Sequence, residues 1–210
     1  MTCPHFATLK NRINLLEEKF LKEQLQEEFS NQADFEADIE KLAAFRLLVH
    51  AEIEGYMENK AKDGLSLFRS KISSGNLDLK TIASIYAISI AIAIAGNDKV
   101  SLPISWNYNS DDFKEKVEDV LKQCDRLIVN NNGIKGSSYF MLSLMAGKLP
   151  EDIDQGLGAT LTSYGRSRGD VAHKSVVHVR TFSAPSAELS VAKQLLAGLE
   201  AYFGADALVS

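Results

Sequence analysis

From Phe6 onward the apolar residues recur at steps of three and four. Phe6, Leu9, Ile13, Leu16 and Phe20 are followed by Leu21, Leu25 and Phe29, with Glu and Lys at the positions between. That period is the signature of an amphipathic helix. Ser30-Asn31-Gln32 interrupts it. A second stripe runs through Phe35, Ile39, Leu42, Phe45, Val49, Ile53 and Tyr56, and the glycine of Asp63-Gly64 suits a C-cap there. Two long helices joined by a short connection predict an antiparallel hairpin.

Ser73-Ser74-Gly75-Asn76 reads as a turn. Beyond it, Thr81 to Asn97 is uncharged and sets Ile82, Ile85, Ile88, Ile90, Ile92 and Ile94 among Ala and Ser. A membrane span needs about 20 strongly apolar residues, and this stretch is shorter and rich in small polar side chains. A buried helix is the expected form, with a strand as the second reading of the Ile-x-Ile alternation. Asp98 to Ser110, with Pro103 and the only Trp, Trp106, reads as an ordered loop.

Asp111-Asp112 places acids in the first turn of the next helix, where the macrodipole favours them. Phe113, Val117, Val120, Leu121, Cys124 and Ile128 form its apolar stripe, and Asn130-Asn131-Asn132-Gly133 ends it. Tyr139 to Met145 reads as a short apolar helix. Pro150-Glu151-Asp152 is expected to open another, carrying Leu157 and Leu161, and Ala187 to Phe203 forms the last. The whole pattern is all-α, with no βαβ alternation, and residues 1–210 are read as a single domain.

Composition narrows the class. Hydrophobic residues make up 45% and charged residues 24%, as in an ordinary globular protein. Only Cys3 and Cys124 are present, which gives no disulfide framework and no CxxC pair, so a reducing cytoplasm is the expected setting. Met1 to His5 leads into a charged segment with no apolar h-region, so no signal peptide is expected. The net charge of −5 disfavours indiscriminate coating of nucleic acid. It leaves room for a local basic site. From Gln155 to Ala187 the charged side chains are Arg166, Arg168, Lys174 and Arg180 against Asp170, four cations to one anion and a net +3.

Walker, GxGxxG, HExxH and GxSxG motifs are absent. His50 and Glu54 lie one turn apart and could share a metal, but without a second such pair a structural helix-face pair is the better reading. His5 and His178 suggest no chemistry. The stretch Tyr164-Gly165-Arg166-Ser167-Arg168-Gly169-Asp170-Val171-Ala172-His173-Lys174-Ser175 stands apart. Its Arg168-to-His173 spacing resembles the Arg-x4-His signature of the HEPN superfamily, and Arg-x-x-Val-Ala-His resembles the RiboL-PSP type of that group. His50 to Glu58 resembles the group's HAxxExYxE pattern, and Asn131-Asn132-Gly133-Ile134-Lys135 before a short apolar helix resembles its middle segment. The three segments cover residues 35 to 200, roughly. Gly169 departs from the pattern, in which Asn, Asp or His commonly follows the motif arginine; here the polar side chain stands at Asp170.

The resemblance implies a HEPN-like helical bundle with additional helices, acting as a metal-independent endoribonuclease with no cofactor. Arg168 and His173 would be its catalytic pair, with Arg166, Asp170 and Lys174 in support. Histidine suits the proton transfers of RNA cleavage near neutral pH, and a guanidinium suits the charge that builds on the phosphate. The choice between Arg166 and Arg168 turns on the helix. Seven positions return a regular helix to about 20° of the same face, whereas five leave about 140°. Arg168 is preferred because Gly169 beside it favours a helix start at that point. One chain supplies one such His, so a homodimer is expected to complete the acid–base pair. RNA is the expected partner, with an antitoxin or regulatory protein restraining a toxin or defence component, and no membrane. The other reading is a non-catalytic HEPN module that dimerises and binds a nucleotide or a protein.

Overall fold

The apolar stripes become helices, and local caps decide where most of them end. The computed structural model describes residues 3–30, 35–96, 102, 107–173 and 182–204, with the side chains of 169–173 outside the description. Among the described residues the chain is all-helical, with eight α-helices and no strand: α1 (Pro4–Phe20), α2 (Lys22–Ser30), α3 (Ile39–Ser74), α4 (Leu79–Ile94), α5 (Asp111–Val129), α6 (Gly136–Met145), α7 (Gln155–His173) and α8 (Pro185–Phe203). The expected turn at Asn31-Gln32 and most of the expected loop from Asp98 to Ser110, Trp106 included, lie outside the described residues.

The expected hairpin forms. Arg12 pairs with Glu52 at 2.9 Å, Glu23 with Lys41 at 3.0 Å, and the Gln24 side-chain oxygen accepts the Asp38 N–H at 2.8 Å. As one partner advances along the chain the other retreats, so α1 and α2 run antiparallel to α3. The stripe does not all reach the core: Phe29, one residue from the end of α2, is 94% exposed.

Asp63-Gly64 does not end α3, which continues to Ser74. A Cβ on Gly64 would collide with the carbonyl oxygen of Met145 and come within 2.8 Å of the Ala146 Cα. The glycine therefore serves close approach of backbone, which outweighs its helix cost of about 1 kcal/mol. The stop comes at Gly75, whose φ of +70° few other residues adopt. Its N–H reaches the Ile72 carbonyl at 3.1 Å and the Asn76 N–H reaches Lys71 at 3.0 Å, a Schellman ending.

The described residues sort into two compact units. The first takes in Met1–Tyr56, Gly133–Gly136 and Asp154–Asp206. Its core joins α1, α3 and α8 through Phe6, Tyr56 and Phe203, whose rings meet edge to face at 6.0 and 5.9 Å. Leu157 of α7 lies against Gly198 of α8, where a Cβ would come within 2.9 Å of it. Arg46 and Glu188, both buried, form an ion pair between α3 and α8, and the Phe182 ring stacks 4.6 Å from the guanidinium.

The second unit takes in Met57–Asn132 and Ser137–Ile153. Arg69 on α3 reaches Asp125 of α5 at 2.6 Å. Asp78 caps α4 by accepting the Thr81 N–H at 2.7 Å, and its bond from Lys71, with that cap, holds its carboxyl down at about 2. Ser110 caps α5 through the Phe113 N–H at 3.3 Å. Helix α4 is buried on one side only. Ile85, Ile88 and Ile92 are inside, while Ile90 is 58% and Ile94 82% exposed, beside an open apolar cavity of about 630 Å³ lined also by Tyr86, Phe140 and Met141. Among the described residues no helix is long and apolar enough to cross a membrane.

Pro150-Glu151-Asp152 does not open a helix. It forms a separate single 3-10 turn, and α7 starts afresh at Gln155 after the Asp154 side chain accepts the Leu157 N–H at 3.0 Å.

Candidate functional site

Helix α7 carries the basic island, and it does not start at Arg168. It runs unbroken from Gln155 through Gly165 and Gly169 to His173. The glycine next to Arg168 thus marks no helix start, and the backbone argument for preferring Arg168 is withdrawn: position 166, not 168, shares an azimuth with position 173. Arg166 is exposed and Arg168 half-buried. The side chains of Asp170 and His173, and the whole of Lys174 and His178, lie outside the described residues.

Interior contacts of the first unit gather at Gly165, one turn before Arg168. His50, buried in α3, has its Nε2 3.8 Å from where a Cβ on Gly165 would stand. Lys135 Cγ and Ile134 Cγ1 lie 3.4 and 3.5 Å from the same point. Gly165 is thus a place where α7, the 133–136 segment and α3 meet. Ile134 is fully buried and anchors the segment, while Lys135 is exposed. A further tie holds it to α7: the Gly136 N–H donates to Thr162 Oγ1 at 2.9 Å, and that hydroxyl donates to the Gly158 carbonyl at 2.7 Å.

The electrostatics follow from this meeting. Burial, then the charge of Arg168, then that of Lys135, push the His50 imidazole down to about 4. It is therefore neutral at physiological pH. Glu54 Oε2 stands 3.7 Å from His50 Nδ1, beyond hydrogen-bonding distance, and that buried nitrogen has no hydrogen-bond partner among the described residues. Among the described residues no three His, Cys, Asp or Glu side chains gather to hold a metal ion, so His50 and Glu54 have no third partner.

One turn back along both helices stand Arg46, below His50 on α3, and Tyr164, below Arg168 on α7. The Tyr164 hydroxyl donates to the Arg46 carbonyl at 3.4 Å, and burial raises its pKa. An open cavity of about 450 Å³ lies here, edged by Ser163, Ser167, Gln194 and the Arg46–Glu188 pair. Cys124, in the second unit, is buried and its thiol is pushed up to about 12 by that burial, so it is not a nucleophile.

Comparison of the chain with models of known protein families, with curated proteins and with solved structures gives no significant match.

Of the residues singled out from sequence, Arg168 belongs to this meeting point and Arg166 does not contribute to the shift of His50. Lys135 was missed as a site residue, and His50 was read as structural. Both stand in the segments quoted for the HEPN resemblance, which was the one signal pointing to them.

Proposed function

We propose that this chain is a metal-independent endoribonuclease of the HEPN type, in which Arg168 holds the scissile phosphate and His173 acts as general base or acid. The observation that carries the proposal is convergence. The three separate segments that resemble the family, represented by His50, Lys135 and the Gly165–Arg168 stretch, meet at one point of the first unit. A chance likeness in three short stretches has no reason to close on a single arginine.

The chemistry suits the residues. Attack of the RNA 2′-hydroxyl on the adjacent phosphorus needs a base to take its proton and an acid to give one to the leaving 5′-oxygen. Negative charge grows on the phosphate oxygens between those events, and a guanidinium meets it with two parallel N–H donors. His173 of one chain supplies one of the two proton transfers, and a second copy in a two-fold dimer supplies the other. Arg166, exposed on the same helix, and Lys174 would hold flanking phosphates, and Asp170 would orient the pair. The polar cavity one turn from Arg168 offers room for the attached nucleoside. In the cell such an enzyme would act as a toxin or defence component held in check by an antitoxin or regulatory protein.

Expression in bacteria tests the reading. The wild-type chain should slow growth and His173→Ala should not; equal growth of the two strains would move the protein to the non-catalytic binding module.

A further inference from the structure

We propose that Lys135 is a second phosphate-binding residue, forming with Arg168 a two-cation clamp for the RNA backbone across the Gly165 seam. The inference rests on the ribonuclease reading and adds to it a residue from outside the Arg-x4-His stretch.

Lys135 rests its stem at Gly165 and Arg168 stands one turn farther along α7, and neither makes an ion pair or side-chain hydrogen bond with a carboxylate among the described residues. Elsewhere cations find anions: Arg12 has Glu52, Arg46 has Glu188, Arg69 has Asp125 and Lys41 has Glu23. His50 stands at the same meeting point, and burial first, then the charges of Arg168 and Lys135, keep its imidazole neutral. Glu54 Oε2 stands 3.7 Å from the Nδ1 of that ring, one turn along α3. Two cations set about one turn of α7 apart, with no carboxylate paired to either among the described residues, form a site for an anion from outside.

The backbone is built to keep them there. Ile134 is the buried plug that fixes the segment, and the Gly136-to-Thr162 bond sets its register on α7. Lys135 lies between those two anchors, exposed to solvent, with its stem against the bare backbone of Gly165. A Cβ at 165 would stand 3.4 Å from the Lys135 Cγ, in direct contact with the stem. The buried His50, its Nε2 3.8 Å from the same point on Gly165, acts as a positioning residue that adds no third charge.

RNA backbone and free nucleotide share the phosphate group, and two arms of one experiment separate them. Binding of a short 2′-O-methylated oligoribonucleotide, which cannot be cleaved, is measured against salt for the full chain, and inorganic phosphate is titrated in parallel. Lys135→Gln should weaken oligonucleotide binding about tenfold. It should also reduce the slope of log affinity against log salt by about 0.7, the loss of one phosphate contact to a single strand. Lys135→Arg should restore both. The His50 imidazole resonance, assigned by its loss in His50→Gln, should titrate at higher pH in Lys135→Gln and in the presence of phosphate, since each reduces the positive charge it feels. A free-nucleotide site would appear as phosphate and mononucleotide binding with no gain from the longer oligonucleotide, and would overturn the RNA-backbone clamp. Unchanged affinity and slope in Lys135→Gln, with both falling in Arg168→Gln, would overturn the role of Lys135 and leave the ribonuclease reading standing. Unchanged binding in both variants would remove the phosphate site altogether.

Discussion

Arg46 and Glu188, 142 residues apart in the chain, face each other as a two-pronged ion pair with almost no access to water. The guanidinium donates from Nε at 3.1 Å and from Nη2, and the carboxylate also accepts the Ser183 N–H at 3.2 Å. One carboxylate therefore fastens α3, the approach to α8 and α8 itself.

A buried charge whose partner is removed cannot regain its hydration, so loss of half a pair costs more than the pair contributes. Glu188→Gln should lower unfolding free energy by about 3 to 5 kcal/mol. The double variant Arg46→Met with Glu188→Leu should recover most of that loss. Urea denaturation of the three proteins checks this; a Glu188→Gln protein as stable as the wild type would mean that water reaches the pair.

His50 makes stability depend on acidity. Its folded value of about 4 lies below the ordinary 6.5, so between these limits the unfolded chain binds a proton that the folded chain refuses. The contribution is fully present above pH 6.5 and is lost progressively as pH falls towards 4, amounting to about 3 kcal/mol across the window. Below that the imidazole charges in both states and adds no further slope. In His50→Gln the slope of stability against pH over this interval should flatten by about one proton. Denaturant titrations at several pH values provide the measurement, and an unchanged slope would place a charged His50 in the fold.

Helix existence was legible because it depends on local period. The Phe35-to-Tyr56 stripe predicted α3, and the turn read at Ser73-Ser74-Gly75-Asn76 is where it stops, eleven residues past the Asp63-Gly64 end expected for it, since the left-handed turn is a local need. Gly64 was not legible. Its local setting is that of a cap, and only Met145, eighty-odd residues away, explains why a glycine stands mid-helix. Gly169, too, read as a helix start and lies inside α7. The exposed side of α4 was hidden for a related reason: Ile90 and Ile94 are as apolar as Ile88 and Ile92, and composition alone cannot say which face a neighbour covers. For the site, Arg168 stood out through its motif. Lys135 and His50 were visible as letters of a pattern, but their nearness to Arg168 exists only once three distant segments are folded together.

Cleavage of a single-stranded RNA by the purified chain, with and without EDTA and with His173→Ala alongside, tests the central claim most directly. The account predicts cleavage that survives chelation, products ending in a 2′,3′-cyclic phosphate, and a loss of about a hundredfold or more in His173→Ala. Arg168→Lys should also be impaired, because an ammonium cannot reproduce the bidentate fork. Cleavage that disappears with EDTA, or that continues undiminished in His173→Ala, would contradict it.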